Sequence, residues 1–153
     1  MTTMNNFVVF TNNPAAAEFF DVKFPDNELR WFASPAMEVL TASKTAVRQG
    51  AVLLSNPLAG VRSEPSFFPL SPAPRASVLP TKAGAISPFL TLLVSEPSET
   101  VDFLSVKNID AAISFYKKNA RLRFMSYKED ALKSFQVSDL EAVAVVLTSL
   151  LGV

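Results

Sequence analysis

A chain of 153 residues, 49% of them hydrophobic, is long enough for one compact domain that buries roughly 70% of its unfolded surface. Its 14 basic and 14 acidic side chains cancel, which removes the global field that draws proteins onto nucleic acid or an anionic bilayer. With no cysteine and no histidine, the chain has no means of building a Ser-His-Asp triad, a Cys-His pair, the usual structural zinc site, an iron–sulfur site or a disulfide. The expectation is therefore of no metal and no cofactor.

The start, "MTTMNNFVVF", has no basic leader and only a short apolar run, so it does not read as a secretory signal and a cytoplasmic location is expected. Asn6 to Phe10 is β-rich and apolar on both faces, which reads as a buried strand. Asn12 and Asn13 can cap a following helix, with Pro14 at its first position and "AAAEFF" as its body. Glu28 to Phe32 reads as a second strand. Ser34-Pro35 then opens the helix "AMEVLTASKTAVRQ", which Gly50 stops, with Met37, Leu40, Val47 and Ala51 along one face. Ala51 to Ser55 and Pro88 to Ser95 read as the third and fourth strands. Helices are expected from Ser105 to Asn119 and from Ser126 onward, with a break near Val137 where Ser138 can cap the last piece.

Strands alternating with helices predict an α/β fold, because each connecting helix carries the chain back across a sheet face. The expectation is a single α/β domain over residues 1–153: a mostly parallel sheet of about four or five strands flanked by helices, with C-terminal helices and a long Pro-rich arm. That arm, residues 56–87, is "NPLAGVRSEPSFFPLSPAPRASVLPTKAGAIS" and holds six of the eleven prolines. Proline removes backbone donors and fixes φ, so the arm cannot be a long helix or a central strand. Phe67, Phe68 and Leu70 give it something to pack, and Ala76 to Leu79 read as a short edge strand; an ordered arm on the domain or on a neighbouring subunit is expected.

The apolar runs share an ending. "FVVFTNNP", "LRWFASP", "VLLSNP" and "TLLVSEP" each stop at short polar residues followed by proline. In a mostly parallel sheet these endings would gather at one edge, where ligands of open α/β folds bind. Thr11, Asn12, Asn13, Ser34, Ser55, Asn56 and Ser95 would then offer hydroxyls, amides and helix N-terminal N–H groups to a carboxylate or phosphate. Gly60 shares the turn after Asn56, and Arg62, ahead of Arg75 and Lys82, is the cation nearest a strand end. Against this stands the simpler reading that a hydroxyl or Asn before Pro is how a helix or loop begins.

Other patterns carry less. Lys117, Lys118, Arg121, Arg123 and Lys128 lie among Tyr116, Phe124 and Tyr127, a mixture that can grip single-stranded nucleic acid. The cluster sits at a helix C-terminus, where cations complement the dipole, and Glu129 and Asp130 follow, so no nucleic-acid partner is expected. Ser114 and Lys117 match Ser-x-x-Lys without the companion motifs such enzymes need. "AVAVVLTSLLGV", Ala142 to Val153, falls short of the ~20 residues of a membrane span, so a terminal helix and no membrane partner are expected. Leu140, Val143, Leu147, Leu150 and Leu151 form an approximate stripe on it, core packing by default and a homo-oligomer contact if exposed.

"VVFTNNP", "RQGAVLLSNPLAG" and the later strand "FLTLLVS" resemble the GrdX family of small proteins encoded with the glycine, sarcosine and betaine reductase systems of amino-acid-fermenting anaerobes. The similarity runs in segments from Asn6 to Val106. The family carries no established activity, so the resemblance implies an association with amino-acid reductase metabolism, with a reductase component as partner, more than a mechanism. Where the family commonly has a histidine before the Pro-Leu pair this chain has Asn56, and its loop is longer between Ser66 and Ala85. The expected function is a non-enzymatic accessory or binding protein with a small-anion or partner site at the strand edge. Two alternatives stand beside it: an enzyme using Ser, Lys or carboxylate groups there, and a purely structural oligomerisation protein.

Overall fold

The computed structural model describes residues 6–63, 83–123 and 126–151. Phe67, Phe68, Leu70, Arg75, the Ala76–Leu79 stretch, Lys82 and Phe124 lie outside them, as do the side chains of Arg62 and Arg123.

The first βα unit forms as its local signals dictate. Strand β1 (Phe7–Thr11) runs into helix α1 (Pro14–Lys23), with Pro14 in the first turn and Asn13 as the N-cap. Strand β2 (Leu29–Trp31) leads to helix α2 (Ala36–Arg48), which ends before Gly50 at φ 102°, a left-handed conformation that side chains with a Cβ rarely adopt. The remaining elements are β3 (Val61–Ser63), β4 (Ala83–Ile86), β5 (Thr91–Ser95), α3 (Phe103–Lys118), the single turn α4 (Ala120–Arg123) and α5 (Glu129–Leu151).

The class is mixed α and β, but the sheet corrects the parallel expectation. Among the described residues it has three strands in the order β2–β1–β5; β2 runs parallel to β1, while β5 runs antiparallel, with Phe7 opposite Ser95 and Thr11 opposite Thr91. Ala51–Ser55 supplies no strand, only an isolated antiparallel bridge from Leu53 to Val94. Strand β5 is antiparallel both to this segment and to β1. The two described ends of the Pro-rich arm pair as a separate antiparallel ladder, β3 with β4.

Side chains alternate across β1 with the period of a strand, and both faces are covered. Val8 and Phe10 join Leu92 and Val94 in a core under α2 and α3. Phe7 and Val9 join Leu93 in a second core with Phe20 of α1 and with Val143, Val146 and Leu147 of α5. Phe7 meets Phe20 and Phe24 edge-on, at 6.0 and 5.4 Å between ring centroids. Each fully buried aromatic or aliphatic side chain of this kind contributes about 1.5–3 kcal/mol.

Helix α5 is continuous for 23 residues, so the expected break near Val137 is absent. Phe135, Asp139, Val143, Val146 and Leu147 bury one face, and this tertiary contact holds Ser138 inside the helix although its side chain suits a cap. By length and composition α5 could cross a membrane, more than the apolar run from Ala142 alone would allow. One face of it packs on α1 and β5. Val137 and Val145 stay exposed on its far side.

Candidate functional site

The Thr-Asn-Asn-Pro segment at the end of β1 is a knot of internal hydrogen bonds. Asn12 Oδ1 accepts from the Leu90 N–H at 2.8 Å, and its Nδ2 donates to the backbone oxygens of Ser34 and Pro88 at 2.9 Å each. One amide therefore fastens the ends of β1 and β2 to the entry of β5. Asn13 Oδ1 caps α1 by accepting from the Ala15 N–H, while its Nδ2 donates to the Gln136 carbonyl and to Asp139 Oδ2 on α5. Thr11 Oγ1 accepts from the Asn13 N–H at 3.0 Å and lies 2.7 Å from Thr91 Oγ1.

Asp139 closes this network. It is buried on α5, and its carboxylate accepts from the Thr91 hydroxyl at 2.6 Å, from Asn13 Nδ2 at 2.8 Å and from the Thr91 N–H at 3.2 Å. Burial pushes its pKa up; the bonds from Thr91 and Asn13 pull the other way and only offset this in part. The two threonine hydroxyls can reverse direction, so the relay Thr11–Thr91–Asp139 accommodates the ionised acid by donating to it and the neutral acid by accepting from it. Beside Asp139 is a niche of about 10 Å³ lined by Gly60, Ser87, Phe135 and Ser138, room for about one water. Sequence reasoning missed Asp139. Its signal was an acid at the buried i, i+4 position of an apolar helix face, between Phe135 and Val143.

The remaining residues expected at the strand edge do not converge on one pocket. Ser55 Oγ accepts from the Leu93 N–H, which binds the end of the bridging segment to β5. Asn56 Oδ1 accepts from the Leu58 N–H in a local turn, and the Gly60 carbonyl accepts from the Ser87 N–H. Ser34 is exposed and contributes its backbone oxygen. Arg62 sits in β3, opposite Ala85, away from the three-stranded sheet. Ser95 stands at the opposite end of the sheet from Thr11, because β5 runs antiparallel to β1. Its hydroxyl accepts from the Val52 N–H and donates to the Glu96 carbonyl.

A larger opening exists at that opposite end. Between the α2 face of the sheet and the second half of α2 lies a cleft of about 260 Å³. Val8, Phe10, Ala46, Ala51, Val94 and Pro97 give it apolar walls, and Thr45, Gln49, Ser95 and Arg30 give it polar groups. Arg30 pairs with Phe10 across the β1–β2 ladder, so strand alternation turns it to the α2 side while Leu29 packs in the opposite core. Its guanidinium lies 5.1 Å from the Phe10 ring centroid, a cation–π contact, and its Nε donates to Glu28 Oε2 at 2.6 Å. Among the described residues it is the only charged group lining the cleft.

Comparison with protein-family models, with curated proteins and with solved structures finds no match to this chain.

Proposed function

We propose that the protein is a non-enzymatic binding module that holds a small ligand in the cleft between α2 and the sheet. The observation behind this reading is the contrast between the two ends of the sheet. At the Thr11 end, a ligand would have to displace the internal bonds of Asn12, Asn13 and Thr91. At the other end, an apolar recess of about 260 Å³ carries an oriented cation at its wall. That volume falls just below the ~300–1,000 Å³ of drug-sized sites, which suits a ligand of fewer atoms. The resemblance of "VVFTNNP" and "RQGAVLLSNPLAG" to the GrdX family extends the proposal to a role accompanying glycine, sarcosine or betaine reductase systems.

An acid–base enzyme centred on Asp139 is the second reading, favoured by the buried acid and its raised pKa. The niche beside it, at about 10 Å³, leaves no room for a substrate larger than water. Ligand-observed NMR with a panel of small fragments, on the native chain and on Ala46→Trp, tests the binding reading. Fragments should bind the native chain and lose binding when the indole fills the cleft, with melting curves showing that the variant folds. An absence of bound fragments, or binding that the variant retains, would overturn it.

A further inference from the structure

We infer that the ligand of this cleft is a small aliphatic carboxylate, its acid group held by Arg30 and its hydrocarbon chain laid on Ala42, Ala46 and Pro97. The inference rests on the binding reading above and names the ligand class. Three observations carry it. First, the charge on the cleft wall has one sign among the described residues: Arg30 lines it, whereas Glu28 sits on the Arg30 Nε and is not part of the lining. Second, the guanidinium has two neighbours, the Phe10 ring with its centroid at 5.1 Å and Glu28 at 2.6 Å. Glu28 engages Nε, which leaves the far end of the guanidinium fork for a second carboxylate, where paired N–H groups match the spacing of its two oxygens. Third, Ala42, Ala46 and Pro97 present accessible apolar surface to the recess, which an anion of bare phosphate type would leave uncovered and a short hydrocarbon chain would bury.

The chemistry also sets an order among matched ligands. Hexanoate, 1-hexanol and hexylamine share a chain and differ at the head group. Isothermal titration of each into the 153-residue chain should give tightest binding for hexanoate, with hexanol weaker by about tenfold, a modest figure because Arg30 is half-exposed. Hexylamine should bind weakest, since its ammonium would face a cation. Arg30→Gln should bring hexanoate down to the level of hexanol, and Arg30→Lys, which keeps the charge but loses the fork, should fall between.

Equal affinity of acid and alcohol for the native chain, or an acid preference that survives in Arg30→Gln, would overturn the carboxylate assignment while leaving the cleft as a binding site. Hexanoate binding that persists in Ala46→Trp would place the acid elsewhere and overturn both readings. Failure of hexanoate to bind the native chain at millimolar concentration would also overturn the carboxylate assignment, and fragment binding lost in Ala46→Trp would then show that the cleft still binds.

Discussion

At the scale of single residues, Asp139 makes the clearest prediction. A buried carboxyl with a raised pKa is protonated more readily in the folded chain than in the unfolded one, so between its ordinary value of 3.8 and its raised folded value the native state binds more protons. Stability from this group is therefore fully present below pH 3.8 and is lost as pH rises through that window to the raised folded value. Asp139→Asn should remove this component: the difference in melting temperature between native chain and variant should narrow or change sign as pH rises from about 4 to about 8. At acidic pH the variant should be the less stable, by about 1–3 kcal/mol, because its amide must turn an N–H toward donors on Thr91 or Asn13. Thermal melts at a series of pH values check both statements; parallel curves would contradict the burial argument. The sequence marks Asp139 only as an acid on an apolar helix face, between Phe135 and Val143. An aspartate in an apolar helix is informative only once the partner hydroxyl is known, and Thr91 lies 48 residues away.

At the scale of elements, what could be read was what local chemistry determines. Asn13 and Pro14 mark the start of α1, and Gly50 the end of α2, because caps and left-handed stops depend on neighbours within a few residues. Gly50 also sits against another segment: a Cβ there would come 1.9 Å from the Ser98 carbonyl oxygen, whose own N–H and hydroxyl bond the Gly50 carbonyl. Gly50→Ala should destabilise the fold by at least roughly 1–3 kcal/mol, the cost of the strained φ alone. Chemical denaturation measures it; a variant as stable as the native chain would show that the Ser98 loop is not held where it lies. Strand direction could not be read in the same way. The apolar run Thr91–Ser95 looks the same in either orientation, and its pairing with β1 is fixed by contacts about 80 residues apart, such as Thr11 with Thr91. The unbroken α5 was hidden for a similar reason, since Ser138 suits a cap locally and burial of Phe135, Asp139 and Val143 overrides it.

At the scale of the whole molecule, the antiparallel return of β5 reorganises the candidate site. Four polar strand endings in a parallel sheet would have faced one ligand. In the observed sheet, Thr11, Asn12 and Asn13 at one end fasten α1, α5 and β5 together, while Ser95 at the other end borders the cleft with Arg30. The sequence motif that looked most like a ligand cradle is thus engaged in holding the fold, and the cation with a recess beside it is Arg30, in the expected second strand between Leu29 and Trp31. The central claim is that these two ends have different roles. Amide chemical-shift mapping of the isotopically labelled chain during titration with hexanoate tests it most directly. The predicted result is perturbation at Val8, Arg30, Ala46, Gln49 and Val94 with Thr11, Asn12, Asn13 and Thr91 unmoved; perturbation centred on the Thr11–Asn13 segment and Thr91 would contradict it.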